Sequence, residues 1–324
     1  MQENIQLSPP LTAPLPLVSI VVLTYNSSAT VVETLDSLLK QNYPYLEVIV
    51  SDDGSKDNTV AVVREWMNSH GSAFERIELV CAASNGGVCS NVAQGYAAAR
   101  GEWIKPIAGD DMIMPGAIPR YVSKALEGDY SLVISQMRTF TPSSENQNVY
   151  GKVVPSQATA RQIGLPSHHL LQMLRVRNML PAPAVLLRRA DFEMAGGIDR
   201  RFFHLDDWPL WVNLLAKGKS FAWLPEPLVA YRVSEATLSA SKNSTSANPQ
   251  FLQDHVTFYQ HYQVGRLGPW RRWDRLLEIF RFKLAKGALR RYPRIYLATG
   301  VLRFMSPIYV VERLQRRLSG NRDL

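Results

Sequence analysis

The chain has 324 residues, of which 46% are hydrophobic and 20% charged, a balance that is typical of folded proteins and excludes a disordered chain. Cys81 and Cys89 are too few for a disulfide framework and form no C-x-x-C metal pair. The net charge is +8, but 14 basic and only three acidic residues lie between Arg266 and Arg317, so the rest of the chain is mildly acidic, which argues against a nucleic-acid enzyme with a basic groove.

The two ends of the chain are expected to differ. Residues 1–14 contain several prolines and lack a basic start followed by an apolar core, so we expect a mobile leader and no signal peptide. The most apolar late stretch, Ile295–Val311, contains Gly300, Arg303 and Pro307. It therefore falls short of the roughly 18–20 uninterrupted apolar residues that a membrane-spanning helix needs.

From Leu17 onward, short apolar β-branched runs alternate with stretches that have helical periodicity. The predicted strands are 18–23, 46–50, 77–80, 103–107 and 131–138, and the predicted helices are about 30–39, from 57, 88–99 and from 115. Such a series predicts an α/β fold with an open, mostly parallel sheet. Thr30 and Glu33 have the spacing of a capping box at the start of the first helix.

The second half of the chain is less regular. Polar residues 141–157 predict a surface loop and a domain boundary. Further elements are predicted at 167–176 (helix), 184–187 (strand), 206–216 (helix) and 220–224 (strand). The Ser-, Asn- and Thr-rich segment 234–248 is expected to be flexible, and helices are expected beyond Pro249.

Polar side chains follow three of the predicted strands. These groups are Thr24-Tyr25-Asn26, Asp52-Asp53-Gly54-Ser55 and Asp110-Asp111. Ligands of open parallel sheets bind beyond the carboxyl ends of the strands. One aspartate at such an end is usually a helix N-cap, but three groups in register predict a site for one anionic ligand.

These groups lie in the runs VSIVVLTYN, EVIVSDDGSKDNT and NGGVCSNVAQGYAAARGEWIKPIAGDD. Together the runs resemble the nucleotide-binding half of glycosyltransferase family 2, closely over residues 18–114 and more loosely to 232. The resemblance implies the GT-A fold, a Rossmann-like open sheet with flanking helices. It implies a catalytic domain at 15–240, with a nucleotide-binding half at about 17–140 and an acceptor half at about 160–240, followed by a basic helical extension at 249–324.

The resemblance also assigns roles in binding the donor. Asp53 would accept a hydrogen bond from N3–H of uracil or thymine, which cytosine lacks, so a UDP- or dTDP-sugar is expected. Thr24 and Tyr25 would flank the base, with Asn26 beside them. A core aromatic at a strand end is the other interpretation of Tyr25.

The pair Asp110-Asp111 matches the position of the family's metal motif. By resemblance, Asp111 would bind Mn²⁺ or Mg²⁺ directly, and Asp110 would contact the ribose or a metal-bound water. Oxygen ligands suit both ions, which bind through one or two carboxylates together with substrate phosphates. The alternative is a pair of solvated turn aspartates.

The run from His204 to Trp211, HLDDWPLW, resembles the family's E-D-x-x-L-W signature at the start of a helix. Asp207 matches the catalytic base, and Asp206 stands where Glu is usual. A base here would take the acceptor proton and invert the anomeric centre. Asp206 could instead cap the helix.

One departure from the family pattern concerns the diphosphate. Many members have Tyr-Arg-x-His near the end of the catalytic domain, whereas here Ser234 follows Tyr231-Arg232-Val233. We therefore expect Arg232, or the flexible segment that follows it, to contribute to diphosphate binding.

The C-terminal helix is predicted to be basic and amphipathic. Its apolar stripe comprises Trp270, Trp273, Leu276, Leu277, Phe280 and Leu284, flanked by Arg271, Arg272, Arg275, Arg281, Lys283 and Lys286. Such a helix suits an anionic membrane surface. Packing on the catalytic domain, or on a second copy in a homodimer, is the alternative.

The sequence thus predicts a metal-dependent inverting glycosyltransferase that acts on a glycan, with a lipid-linked surface-polysaccharide intermediate (O-antigen, capsule or exopolysaccharide) as acceptor. The expected location is cytoplasmic, peripheral on the inner face of the cell membrane, with no nucleic-acid partner. A non-catalytic membrane- or nucleic-acid-binding adaptor that acts through the basic helices is the alternative. A sugar nucleotidyltransferase is disfavoured, because the first strand ends in Thr-Tyr-Asn-Ser-Ser rather than a glycine-rich phosphate loop.

Overall fold

A computed structural model describes residues 14–142, 148–233, 249–263 and 268–288. Residues 1–13 of the predicted leader, the predicted flexible segment 234–248 and the apolar stretch Ile295–Val311 lie outside these residues. The basic residues beyond 288 lie outside them as well.

The first half of the chain alternates strands and helices as predicted. Its elements are β1 (Val18–Thr24), α1 (Val31–Leu38), β2 (Leu46–Asp52), α2 (Thr59–His70), β3 (Arg76–Cys81), α3 (Val88–Ala98), β4 (Trp103–Ala108), β5 (Met112–Ile113) and α4 (Ala117–Leu126). The four long strands pair in parallel in the order β3-β2-β1-β4. The predicted α/β class is confirmed.

The second half completes the sheet. Its elements are β6 (Leu132–Pro142), β7 (Asn148–Val154), α5 (Gln157–Ile163), α6 (Ser167–Leu174), β8 (Val185–Arg188), α7 (Arg189–Met194), α8 (Asp207–Ala216), β9 (Phe221–Arg232), α9 (Pro249–Phe258) and α10 (Pro269–Ala288). Beside β4 lie β8, β6, β9 and β5 in that order, and β7 pairs with β6. Because β8 is antiparallel to both β4 and β6, the sheet is mixed on this side.

The apolar side chains of β1 explain why the sheet lies between two layers of helices. Val18, Ile20 and Val22 pack in one buried cluster with side chains from α1, α2 and α4. Val21 points to the opposite face and packs in a second cluster with side chains from α3, α6 and α8. A parallel strand that is buried on both faces has such a continuous apolar run. The carboxyl ends of β1, β2 and β4 therefore lie along one edge of the sheet.

The predicted surface loop at 141–157 is wrong. β6 continues to Pro142, and β7 pairs with it in an antiparallel ladder. The first five residues of β7 are exposed, because the strand pairs only with β6 and its side chains face solvent. An edge strand of this kind needs few apolar residues, so its composition resembles that of a loop.

The predicted capping box is also wrong. Thr30 precedes α1 but makes no side-chain cap; its hydroxyl donates to the main-chain oxygen of Gly109 at 2.7 Å. Glu33 forms an ion pair with Arg232. Both side chains thus connect α1 to the carboxyl end of the sheet instead of closing the helix end.

The described part of the C-terminal extension packs on the catalytic domain. The ring of Phe258 in α9 stacks on Trp208 in α8, with 3.9 Å between ring centroids. On α10, Leu277 is buried, whereas Trp270, Trp273, Leu276 and Phe280 are exposed. The predicted apolar stripe of α10 is therefore covered at Leu277 and exposed at these four side chains. None of the helices in the described ranges combines the length and apolarity needed to cross a membrane.

Candidate functional site

The turn after β2 is held by Asp52. Its Oδ1 atom accepts hydrogen bonds from the hydroxyls of Thr24 at 2.9 Å and Ser55 at 2.5 Å, and its Oδ2 atom accepts from the Ser55 amide at 2.8 Å. Gly54 has a φ of +70°, and a Cβ atom there would lie 2.8 Å from the backbone of Ser84. The predicted base-flanking residue Thr24 is thus buried and joins the ends of β1 and β2.

Asp53 is held by the loop that precedes α3. Its Oδ1 atom accepts from the Gly86 amide at 2.8 Å, and its Oδ2 atom accepts from the Gly87 amide at 2.9 Å. Each carboxylate oxygen has two lone pairs, so each can accept one more hydrogen bond. The Asn-Gly-Gly loop is therefore a clamp for the carboxylate, a role that its sequence did not predict.

Tyr25 and Asn26 occupy the turn after β1. The Tyr25 side chain is 45% exposed, which excludes the interpretation as a core aromatic. Asn26 has a φ of +51°, a conformation that asparagine tolerates better than most residues. Its Oδ1 atom accepts from the Lys56 amide at 2.8 Å, so its side chain fixes the turn after β2.

Asp111 is a buried carboxylate with one bonded and one partnerless oxygen. Its Oδ1 atom accepts from the main-chain amide of Arg232 at 2.8 Å. Its Oδ2 atom is buried and has no hydrogen-bond partner among the described residues. Burial and the neighbouring charge of Asp110 raise the pKa of Asp111 to about 8. The interpretation as two solvated turn aspartates does not fit a side chain that is 1% exposed.

Arg232 lies at the end of β9, beside the aspartate pair. Its Nε atom donates to the main-chain oxygen of Asp110 at 2.7 Å, and its guanidinium pairs with Glu33. The guanidinium also lies 4.6 Å from the ring centroid of Phe140. Arg232 is therefore buried and holds the turn that carries Asp110 and Asp111. The sequence did not identify Glu33 as part of this group.

The donor set at Asp110-Asp111 fits a divalent cation bound together with a substrate. In the described ranges, no group of three or more His, Cys, Asp or Glu residues could enclose a metal ion. Mg²⁺ and related ions bind nucleotide enzymes through one or two carboxylates plus the phosphates of the ligand. The buried, partnerless Oδ2 atom of Asp111 meets this requirement.

A second carboxylate pair lies at the start of α8. Asp207 accepts from the Trp208 amide at 2.6 Å through Oδ1, and from the Asn178 side chain at 2.7 Å through Oδ2. Burial raises the pKa of Asp206 well above its usual range, and the charge of Asp207 adds to the effect. Burial also raises the pKa of Asp207, against the hydrogen bonds that favour its ionised form. The hydrogen bonds from Asn178 and Trp208 oppose this rise in the pKa of Asp207. Asp206 makes no side-chain cap, so its predicted alternative role as a helix cap is wrong.

The loop before α8 connects this pair to the nucleotide-binding half. The ring of Phe203 packs so closely on Gly87 that a Cβ atom there would lie 2.7 Å from it. The amides of Phe203 and His204 donate to Asp254 of α9 at 3.0 and 2.6 Å. Asp254 thus supports the loop that leads to Asp207, and the sequence did not assign it to the site.

Lys105 is a further buried ionisable residue that the sequence did not identify. It lies on β4, and its Nζ atom donates to the main-chain oxygens of Pro106 at 2.8 Å and Pro183 at 2.6 Å. Burial lowers the pKa of Lys105 to about 7, while the charge of Asp111 acts in the opposite direction. The residue joins the carboxyl end of β4 to the turn before β8.

Comparisons with known proteins agree with this geometry. The model of the family described as Glycosyl transferase family 2 matches residues 19–179. The glycosyltransferase EpsJ of Bacillus subtilis, itself uncharacterised, is 26% identical over 78% of this chain and 72% of its own. WfgD of Escherichia coli, a UDP-Glc:α-D-GlcNAc-diphosphoundecaprenol β-1,3-glucosyltransferase, is 26% identical over 70% of this chain and 81% of its own.

Among solved structures, residues 1–349 of TarS from Staphylococcus aureus in complex with UDP-GlcNAc are similar, with a TM-score of 0.59 and 17% identity. The match covers 83% of this chain and 73% of that one. This likeness confirms the expected GT-A fold.

Proposed function

The chain belongs to glycosyltransferase family 2, and from that premise we propose that it transfers a sugar, with inversion, from a UDP- or dTDP-sugar to a glycan hydroxyl. One observation carries the proposal: the buried Oδ2 atom of Asp111 lacks a partner among the described residues. A buried carboxylate oxygen without a partner is unfavourable. A cation that arrives with a nucleotide diphosphate supplies the missing contact.

The donor base is proposed to bind at Asp53. The amides of Gly86 and Gly87 fix the carboxylate, and its remaining lone pairs suit N3–H of uracil or thymine. Cytosine has no such hydrogen and would present a lone pair to the carboxylate. The exposed ring of Tyr25 offers area for stacking on the base.

Asp111, with Asp110, is proposed to hold Mn²⁺ or Mg²⁺. When bound, the cation neutralises negative charge on the leaving diphosphate. Arg232 fixes the aspartate pair through two hydrogen bonds. Its main-chain amide donates to Oδ1 of Asp111, and its Nε atom donates to the main-chain oxygen of Asp110. We therefore propose that it acts on the diphosphate chiefly through the position of these two carboxylates.

Asp207 is proposed as the general base. Its carboxylate would take the proton of the acceptor hydroxyl as that oxygen attacks the anomeric carbon from the face opposite the diphosphate. The hydrogen bonds from Asn178 and from the Trp208 amide favour the ionised form of Asp207, which the reaction requires. Attack from the opposite face inverts the anomeric centre.

The proposed acceptor is a lipid-linked intermediate of a bacterial surface polysaccharide. WfgD transfers its sugar to a diphosphoundecaprenol-linked sugar, and lipid-linked sugars are held at a membrane. On α10, Trp270, Trp273 and Phe280 are exposed next to Arg271 and Arg272. Interfacial aromatics beside basic residues suit an anionic leaflet, so we propose peripheral binding at the inner face of the membrane.

A panel of nucleotide sugars tests the proposed function without an acceptor. UDP-, dTDP-, CDP- and GDP-sugars are incubated with the protein in Mn²⁺, Mg²⁺ or EDTA, and nucleotide release is measured. Metal-dependent hydrolysis of a UDP- or dTDP-sugar is expected. Release from CDP-sugars at the same rate would contradict the role of Asp53. If the purified protein releases no nucleotide and Asp111→Asn leaves its function in cells intact, the adaptor alternative is favoured.

A further inference from the structure

The proposed base makes a contact with a residue that belongs to none of the recognised motifs. Asn178 lies in the loop after α6, and its Nδ2 atom donates to Oδ2 of Asp207 at 2.7 Å. The two residues are 29 positions apart in the chain. The other carboxylate oxygen, Oδ1, is held by the amide of Trp208. Each oxygen of the base therefore accepts one hydrogen bond from the protein.

The orientation of the Asn178 amide group follows from its two partners. Its Oδ1 atom accepts from the main-chain amide of Leu180 at 3.3 Å. A main-chain N–H can only donate, and an ionised carboxylate can only accept. The oxygen must therefore face Leu180 and the nitrogen must face Asp207.

The loop that carries Asn178 is fixed on both sides. The indole of Trp208 donates to the main-chain oxygen of Leu174 at 2.6 Å. The guanidinium of Arg275 in α10 donates to the main-chain oxygen of Val176 at 2.7 Å and contacts the Tyr259 hydroxyl at 3.0 Å. Since α8 and α10 both hold the loop, Asn178 is presented to Asp207 from a supported backbone.

The titratable groups on which the charge of Asp207 acts are acidic or neutral side chains. Asp206 immediately precedes Asp207, and the charge of Asp207 also raises the pKa of Cys89 and Tyr96 in α3. Burial raises the pKa of both α3 side chains, so they are neutral near pH 7. The negative charges of Asp254 and Asp199 also raise the pKa of the Cys89 thiol. The ionised form of Asp207 therefore depends on hydrogen-bond donors.

Two donors besides the Trp208 amide favour that form. Asn178 is the first of them, and the indole of Trp211 also favours the ionised carboxylate, although its N–H makes no hydrogen bond of normal length and angle. We infer that Asn178 is a positioning residue, which turns the Asp207 carboxylate toward the acceptor hydroxyl and stabilises its charge. This inference rests on the proposed function, in which Asp207 is the base.

Two substitutions separate this role from a purely structural one. Asn178→Asp keeps an oxygen for the Leu180 amide but replaces the donor to Asp207 with a second carboxylate. Asn178→Ala removes both contacts. A structural role predicts that Asn178→Asp is mild and Asn178→Ala is harmful, whereas the positioning role predicts that both impair Asp207 and that Asn178→Asp does so more. Asn68→Asp on the exposed side of α2 is the control for an added charge.

The first measurement is the titration of the Asp207 carboxyl by ¹³C NMR, with the resonance assigned by its loss in Asp207→Asn. The midpoint should rise by about one pH unit in Asn178→Ala, the equivalent of one hydrogen bond to a charged group, and further in Asn178→Asp. The acid limb of nucleotide release from a UDP-sugar should move by the same amount. Asn68→Asp should change neither.

An unchanged midpoint in both Asn178 variants, with Asp207→Asn inactive, would overturn the inference and leave the proposed function intact. Normal turnover by Asp207→Asn would instead overturn the proposed function, whatever the titration shows. Circular dichroism establishes whether each variant is folded. If Asn178→Ala does not fold, the comparison of Asn178→Asp with the unmodified protein still tests the inference.

Discussion

Three aspartates of the site differ in what their carboxylate oxygens contact. Both oxygens of Asp53 accept main-chain amides, and both oxygens of Asp207 accept one donor each. Asp111 has one bonded oxygen and one buried, partnerless oxygen. These contacts suit a fixed hydrogen-bond acceptor, a proton acceptor and a cation ligand respectively, so identical side chains are expected to have three roles.

Asp111→Asn should remove metal-dependent nucleotide binding. The amide keeps the size of the side chain but presents one neutral oxygen where a cation needs a charged one. Isothermal titration with UDP in the presence of Mn²⁺ should show binding to the unmodified protein and at least tenfold weaker binding to the variant. Glu127→Gln, which changes an exposed carboxylate directly after α4, should bind normally. If UDP binding by Asp111→Asn and by Glu127→Gln depends on Mn²⁺ to the same extent, the ion does not bind at Asp111.

The raised pKa of Asp111 has a consequence for stability in metal-free buffer. An aspartate with an unfolded pKa of about 3.9 and a folded pKa of about 8 stabilises the fold below the lower value. That contribution is lost as the pH rises toward 8. Asp111→Asn should therefore raise the melting temperature at pH 8 by at least about 2–4 °C, the effect of roughly 1 kcal/mol in a domain of this size. At pH 4 the difference in melting temperature between the variant and the unmodified protein should nearly vanish. A lower melting temperature for Asp111→Asn than for the unmodified protein at pH 8 would contradict this prediction.

The sequence predicts some of these residues and not others for a physical reason. Thr24 ends β1, Asp53 directly follows β2 and Asp110 lies two residues beyond β4. The edge at which they meet follows from the strand order. The contact between Glu33 and Arg232 could not be predicted from local sequence, because the two residues are 199 positions apart. Contacts of that kind depend on the packing of α1 against β9, which local patterns do not encode.

Among the elements, α9 contributes more to the catalytic domain than its position after residue 240 suggested. Asp254 is buried and accepts hydrogen bonds from the amides of Phe203 and His204. These amides precede the helix that carries Asp207. The second element that differs from prediction is β9, which extends eight residues beyond the expected end at 224. Prolines at 225 and 227 indicated a turn there, but the β6 pairing resumes after a register shift.

Asp254→Ala should destabilise the protein and slow transfer. Two main-chain amides would lose their acceptor in a buried setting, which costs about 1–3 kcal/mol for each unsatisfied group. Urea unfolding should show the loss in the free energy of unfolding, and UDP binding should be affected less than turnover. Asp129→Asn on the surface should leave the urea midpoint nearly unchanged, because an exposed ion pair contributes little to stability. A variant with unchanged stability and turnover would show that α9 does not support the loop.

At the scale of the whole molecule, charge and exposed aromatic area are concentrated on the C-terminal helices. The segment from Arg266 to Arg317 carries 14 basic residues against three acidic ones. The exposed fractions of Trp270 and Trp273 are 67% and 51%. The same helix is anchored by Arg275 to the loop that carries Asn178, so a membrane-bound α10 would lie close to the acceptor half.

The intact protein should co-sediment with vesicles that contain anionic lipid, and raised salt should release it. Basic residues near such a surface contribute about 1 kcal/mol each, and salt screens the attraction beyond about 8 Å. Replacing Trp270 and Trp273 with Ala should weaken binding with little change in salt dependence, because they supply apolar area. Tyr45→Ala removes an exposed aromatic elsewhere and should have no effect. If the intact protein ignores anionic vesicles but dimerises through α10, the helix is an interface between two copies.

In the proposed mechanism Asp207 would accept the proton of the attacking hydroxyl, and Asp111 would bind the cation that accompanies the donor diphosphate. The most direct test is Asp207→Asn, with turnover and binding measured on the same preparation. Turnover should fall by about 10²–10⁴-fold, the usual contribution of general-base assistance, and the Kd for UDP in the presence of Mn²⁺ should stay the same. Turnover close to that of the unmodified protein would contradict the claim.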